Sequence, residues 1–253
     1  IIGIDITNRT KGKILCDNFF QVHNPLQEKK YLKDIIRIFT KERFDIFYPL
    51  SDLENFIILK NKKKLDRLGI NFKLPFESYT TAKIFYFKKL FLDFCKNNKI
   101  QVGKYSFVKN YSDIKKYISK NKNKKFILKP VQGSGTKNVY LLNNKIKKPI
   151  NILESRNCIE LSFQNLKKKK IFNNSNNKEF ILMPFYTGNI YDVDCIAKKG
   201  KITDFCIRLR EIQNRFMFYS TGHRIINDQK IKKLVKQIIS KLNMNGICDF
   251  DVI

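Results

Sequence analysis

An α/β fold is predicted for this chain, and three observations carry the prediction. Short apolar, strand-like runs alternate along it with longer stretches whose apolar residues recur at helical spacing. Two such runs, residues 124–130 and 139–142, flank a tight polar loop, Val131-Gln132-Gly133-Ser134-Gly135-Thr136-Lys137-Asn138, and read as a hairpin. With 253 residues, 43% hydrophobic and 13% aromatic, the chain is long and apolar enough to bury a substantial core, as one large domain or two modest ones.

Taken in order, residues 1–6 read as a buried strand, and 14–16 with 19–22 as a second short apolar element. Leu32, Ile35, Ile36, Ile38 and Phe39 place a helix over 27–41. Residues 44–50 read as a strand ending at a proline, then Ser51-Asp52 and a helix over 53–67. Residues 80–98 form one Phe- and Lys-rich helix by pattern, with Ile84, Phe87, Leu90, Phe91 and Phe94 inward. A helix over 112–119 is capped by Ser112. The polar stretch 143–178 is expected to hold a helix and variable loops without chemistry. A strand over 181–185 follows, then a hairpin of 194–197 and 202–207 turning at Gly200. Residues 228–242 are strongly amphipathic, with Gly246 as the helix stop. The final run, 247–253, alternates strictly, so Asp249 and Asp251 share one face.

Fifty-one Lys and Arg against 22 Asp and Glu give a formal charge of +29. Such an excess suits anionic ligands. It is mostly lysine spread among Asn, Ile and Phe, and no nucleic-acid recognition module accompanies it. The charge is therefore read as background composition plus nucleotide attraction, not as a nucleic-acid surface. The six cysteines show no Cys-x-x-Cys spacing and only His23 and His223 are available, which argues against a zinc site or a disulfide framework. No apolar run approaches the about 20 residues needed to span a bilayer, and no signal peptide opens the chain, so no membrane partner and a reducing cytoplasm are expected. Both ends look cut, and a fragment of a longer protein is expected.

The loop at 131–138 suggests chemistry. Glycines let a backbone approach an anion closely, and consecutive N–H groups form a concave partial positive charge that suits phosphate oxygens. Lys129 enters from the strand as a cation. The Walker spacing is absent, and an ordinary hairpin with a Gly-Ser-Gly turn accounts for the loop about as well.

The order of motifs goes further. Lys129-Pro130, Gly133-Ser134-Gly135, the segment Ile181-Leu182-Met183-Pro184-Phe185, Gly188 and Tyr191-Asp192-Val193-Asp194 together resemble the ATP-grasp superfamily, in its carbamoyl phosphate synthetase-like branch of carboxylate-amine ligases. The resemblance implies an ATP-grasp fold over 79–253, with a small lobe at about 106–185, preceded by an N-terminally incomplete, Rossmann-like pre-ATP-grasp unit over 1–78. It implies ATP and Mg²⁺ (or Mn²⁺) as cofactors, and small-molecule carboxylate and amine substrates. Lys88, Lys129, Gly133, Ser134, Gly135 and Thr136 would hold phosphates, and Met183 and Phe185 would flank the base. Arg208 would face the transferred phosphate, and Asp251 would ligate metal. Alternatives stand beside these: Lys89 in place of Lys88, a surface pair of Arg208 with Glu211, and a plain helix cap for the Ser51-Asp52 pair. The chain also departs from the pattern, with Phe87 where an Asp is usual, and Pro184 and Ile190 where glutamates help hold adenine or ribose.

Overall fold

The structure is a computed structural model that describes residues 1–75, 78–121, 125–132, 137–173, 179–213 and 220–253. The chain forms two compact units, Ile1–Tyr86 and Phe87–Ile253.

The first unit holds a two-stranded parallel sheet of β1 (Ile2–Asp5) and β2 (Asn18–Gln21), with helices α1 (Glu28–Glu42), α2 (Asp52–Arg67) and α3 (Tyr79–Tyr86). Helix α1 buries Tyr31, Leu32, Ile35, Ile38 and Phe39, a stripe repeating every three to four residues, and closes on Arg43 in the left-handed conformation. Ser51 caps α2 by accepting the Glu54 N–H, which satisfies one of the donors a helix start leaves orphaned. Phe39, Phe44, Phe47 and Phe72 pack with centroids 5.1 to 6.1 Å apart at the centre of the core. Residues 44–50, expected as a strand, contribute only one bridge, Ile46 to Lys73. Phe44 and Phe47 spend that segment's apolar side chains on the aromatic cluster instead.

The second unit begins with α4 (Lys88–Asn97). The single helix expected over 80–98 is thus two, because Phe87 adopts an extended conformation and bridges Gln132. A six-stranded sheet follows in the order β3 (Ser106–Val108), β8 (Phe180–Pro184), β4 (Lys125–Pro130), β5 (Tyr140–Asn143), β7 (Cys158–Leu161), β6 (Ile150–Leu153). The hairpin partners are antiparallel in the register Leu128 to Tyr140. Helices α5 (Tyr111–Lys120) and α6 (Phe163–Lys168) bring Ile114 and Leu166 to the core on one face, against Phe126, Leu128, Leu142, Leu161 and Leu182. Helix α5 is capped by Asn110, not Ser112: its side chain accepts the Asp113 N–H at 2.9 Å. The stretch 143–178, expected to be loops and a helix, also supplies β6 and β7. Strand β7 lies parallel to β5, a pairing that a four-residue apolar island does not announce.

A second sheet of four antiparallel strands runs β11 (Ser220–Ile226), β10 (Lys201–Gln213), β9 (Tyr191–Lys198), β12 (Gly246–Val252). Gly200 takes φ 69° at the β9–β10 turn, a conformation open to glycine without strain. Helix α7 (Gln229–Lys241), capped by Asp228, buries Ile231, Val235, Ile238 and Ile239 and packs on β10. It ends through Asn243 at φ 46°, while Gly246 opens β12 instead of stopping the helix.

Candidate active site

Alternation gives each sheet two faces, and the site residues expected from the sequence fall on one of them. In β4, Phe126, Leu128 and Pro130 are buried in the core, leaving Lys125, Ile127 and Lys129 half-buried on the other side. Register sets Met183 beside Ile127 and Ile181 beside Lys129, so Met183 and Lys129 lie on the same face. Just past β8, the Phe185 N–H donates to the Lys125 carbonyl at 3.0 Å, and the Lys125 ammonium sits 6.0 Å from the Phe185 ring centre.

In the four-stranded sheet, Val193, Cys195, Ala197, Ile207 and Phe250 are buried. The opposite face carries Asp192 and Asp194 from β9, Arg208 and Arg210 from β10, and Asp249 and Asp251 from β12. Cross-strand register puts Asp249 beside Asp194 and Asp251 beside Asp192. Four carboxylates thus crowd two neighbouring strands of a strongly basic chain.

The two arginines organise them. Arg208 makes a bidentate pair with Asp194, Nε to Oδ2 at 2.5 Å and Nη2 to Oδ1 at 3.0 Å. Arg210 does the same with Asp192, its Nε donating to Oδ2 at 2.9 Å and its Nη2 to Oδ1, while Nη2 also reaches Asp251 Oδ1 at 2.5 Å. His223, opposite Arg210 on β11, places Nε2 3.0 Å from Asp192 Oδ2. Asp192 is only 5% exposed, and the Arg210 hydrogen bonds hold its carboxyl below the usual range.

The other acids are less well neutralised. Partial loss of hydration among the neighbouring strands pushes the Asp249 carboxyl up to about 6, with Asp194, Asp251 and Asp192 adding to the rise. Asp251 is raised for the same leading reason, with Arg210 and Lys129 opposing. Lys129 shows the mirror image: loss of hydration lowers its ammonium from the ordinary lysine value, and the nearby Asp251 charge resists that fall. Each of the two groups thus carries the other's charge as a lesser influence opposing its loss of hydration.

Among the sequence-predicted residues, Lys129, Met183, Arg208 and Asp251 lie on these two functional faces. Lys88 opens α4, and its neighbour Lys89 is tied to Glu179 at 3.2 Å. Gly133, Ser134, Gly135 and Thr136 fall outside the described residues. Arg208 pairs with Asp194, while Glu211 takes Arg224 instead. Sequence reasoning passed over Arg210, the cation that joins Asp192 to Asp251. Its spacing of two from Arg208 is the signal that sets it on the same face, but only the cross-strand register shows which acids it meets. Among the described residues, no group of three or more His, Cys, Asp or Glu is arranged to hold a metal ion. A cavity of about 730 Å³ lined by Lys96, Lys99, Lys104, Tyr105 and Tyr117 shares no residue with this cluster.

This fold, two α+β lobes with a cationic strand on one and an acidic strand on the other, is the ATP-grasp fold, shared by a set of ATP-dependent ligases. The L-amino acid ligase from Bacillus licheniformis superposes over 93% of this chain and 52% of its own, with a TM-score of 0.64 and 13% identity. The N5-carboxyaminoimidazole synthetase from Staphylococcus aureus, solved with ADP, covers 99% of this chain and 58% of its own, with a TM-score of 0.65 and 17% identity. The D-alanine–D-alanine ligase from Bacillus anthracis covers 99% and 80%, with a TM-score of 0.60 and 11% identity. The chain thus spans just over half the length of the first two of these enzymes. No family model matches the sequence, and no curated protein does.

Proposed function

We propose that this chain is the nucleotide-binding part of an ATP-dependent carboxylate-amine ligase. In this reading a carboxylate substrate takes the γ-phosphoryl group of ATP to give an acylphosphate, with ADP leaving. An amine nitrogen then attacks the acyl carbon, the C–N bond forms, and phosphate departs. Such chemistry needs positioning and charge neutralisation more than a covalent side-chain nucleophile. The observation that carries the proposal is the likeness of the fold to solved ligases, with Lys129 and Met183 on one face of the six-stranded sheet and Arg208, Arg210 and Asp251 on one face of the four-stranded sheet.

In that reading Met183 and Phe185 bed the base. Lys129 holds phosphate oxygens together with Lys88 and the backbone of Gly133, Ser134, Gly135 and Thr136. Arg208 and Arg210 stand where charge accumulates on the transferred group. The chemistry of the donors suits a hard divalent cation, since Asp251 and Asp249 offer carboxylate oxygens on one face of β12, although among the described residues they form no group of three ligands. Asp251 would hold Mg²⁺ or Mn²⁺, which would supply positive charge against the phosphates. The unit over 1–78 takes the place of a Rossmann-like pre-ATP-grasp domain, with the ATP-grasp domain over 79–253. The setting is the cytoplasm.

The test is to supply ATP, Mg²⁺, hydroxylamine and a panel of amino and other carboxylic acids to the full-length protein. Acyl hydroxamate formed with matching phosphate release supports the reading. Phosphate release that no carboxylate stimulates would sink it. A second reading, a nucleotide-binding protein without turnover, is favoured by the Arg210 contact to Asp251, which fills the metal ligand's place with a guanidinium. Nucleotide binding without hydroxamate in the same assay would select it.

A further inference from the structure

The core face of the four-stranded sheet holds a pair of thiols that the proposed chemistry does not use. Cys195 on β9 and Cys248 on β12 are direct cross-strand partners, and their sulfurs lie 3.1 Å apart. They sit on the face opposite Asp192, Asp194, Asp249 and Asp251. Directly opposed residues of an antiparallel pair have Cα atoms about 4.5 or 5.5 Å apart, inside the span a disulfide bridges. Bonding these sulfurs requires them to close by roughly 1 Å to the usual disulfide length of about 2.05 Å, a shift that side-chain rotation supplies without moving either strand.

The surroundings leave this pair no competitor. Cys206, on the neighbouring strand, registers with Asp194 and so points to the other face of β10. Cys95 and Cys158 are fully buried elsewhere in the unit, and Cys16 belongs to the first unit. The two thiols also differ in access. Cys195 is 2% exposed, whereas Cys248 is half-buried.

We propose that Cys195 and Cys248 form a redox modification site, at which a small-molecule disulfide oxidises the two thiols to a cystine joining β9 to β12. Access sets the order of steps. Although the Cys195 hydrogen bond and burial hold the proton on Cys248, its sulfur is the one the oxidant reaches; it gives up that proton as it attacks one sulfur of the oxidant, forming a mixed disulfide and releasing the other half as a thiolate. Cys195 sulfur then attacks the Cys248 sulfur, the cross-strand bond forms, and the second half of the oxidant leaves. The two protein thiol protons end on the two released thiolates, so the oxidant is reduced to two thiols as the protein pair is oxidised. The cystine would fix the register that sets Asp251 beside Asp192 on the opposite face.

Oxidised glutathione is the probe. The native protein is incubated with it, alkylated under denaturing conditions, digested and mapped by mass. The expected result is a fall from six free thiols to four, with a linked peptide pair containing Cys195 and Cys248. Six surviving thiols would overturn the proposal, as would glutathione adducts at Cys16 or Cys206 without that pair. Two variants check the order. Cys195→Ser should leave glutathione trapped on Cys248, whereas Cys248→Ser should leave Cys195 unmodified. An unmodified Cys248 in the first, or a glutathionylated Cys195 in the second, counts against the mechanism. None of these readouts depends on nucleotide binding or ligase activity.

Discussion

The two sheets of the second unit treat charge in opposite ways. The six-stranded sheet offers Lys129, beside Ile127 and Ile181, held below its ordinary affinity for a proton, with Asp251 as the carboxylate that opposes the fall. The four-stranded sheet offers four carboxylates and has already spent two arginines and a histidine on them. An under-hydrated cation gains from an arriving polyanion, since it is the ligand that neutralises it. A self-paired acid cluster gains little from the same ligand unless a further cation arrives with it. The asymmetry is what a site for metal-bound phosphate needs, and it gives each side a different response to mutation.

The largest expected effect falls on the self-paired side. Asp192 is buried, accepts from Arg210 twice and lies 3.0 Å from His223 Nε2, so Asp192→Ala removes the buried carboxylate that both side chains meet and leaves Arg210 with the more exposed Asp251. Breaking a buried pair by removing one partner costs about 3 to 5 kcal/mol. Denaturant unfolding should show that loss, and a change below about 1 kcal/mol would mean the cluster carries no structural weight.

Lys129 is expected to show the reverse. Under the proposed function, Lys129→Ala lowers ATP-dependent phosphate release by about 10²-fold or more, as removal of a transition-state charge partner does. Its stability should not fall with it. A lysine whose folded-state pKa lies below its unfolded value is a cost to the fold at neutral pH, and the cost shrinks as pH rises above the folded value and is gone above the unfolded one. The variant should therefore be at least as stable as the parent at pH 7, with any advantage shrinking toward alkaline pH. A variant that loses stability and activity together would erase the contrast between the sheets.

Much of this was legible in the sequence, and the limits have physical causes. Alternation within one strand is a local property, so Asp249 and Asp251 were placed on a common face from spacing alone. The hairpin of β4 and β5 and the amphipathic α7 were equally local. Which acid meets which arginine depends on cross-strand register, and β10 carries an irregularity between Ile202 and Asp204 that spacing does not reveal. The same holds for Cys195 and Cys248, fifty-three residues apart and facing one another only through strand pairing. The break at Phe87 was missed because helical periodicity continues through it, while a bridge to Gln132 decides its conformation.

Asp249 gives a smaller, pH-dependent contrast. Its carboxyl titrates near 6 in the fold against 3.8 when unfolded, so the folded state binds protons more tightly. Stability therefore falls as pH rises from about 4 to about 6, and the penalty persists above. Asp249→Asn should stabilise the protein above pH 6 by less than about 1 kcal/mol, because the side chain is exposed and screened by solvent, and should give no gain below pH 4. Saturating Mg²⁺ should abolish the difference if a cation settles beside Asp251. A gain that is the same at pH 4 and pH 7 would show that charge is not its cause.

The smallest effect belongs to a pair of the same chemistry on the same sheet. Arg224 reaches Glu211 at 3.0 Å, close to the Arg210–Asp192 distance, but the two side chains are 63% and 44% exposed. Water already solvates both partners, so their attraction is weak and holding two long side chains offsets much of it. Arg224→Ala is expected to change stability by under about 0.5 kcal/mol. Set against Asp192→Ala, it separates the effect of burial from the effect of ion pairing. If the exposed pair cost as much as the buried one, surroundings would not matter and the distinction between the self-neutralised cluster and the rest of the sheet would fail.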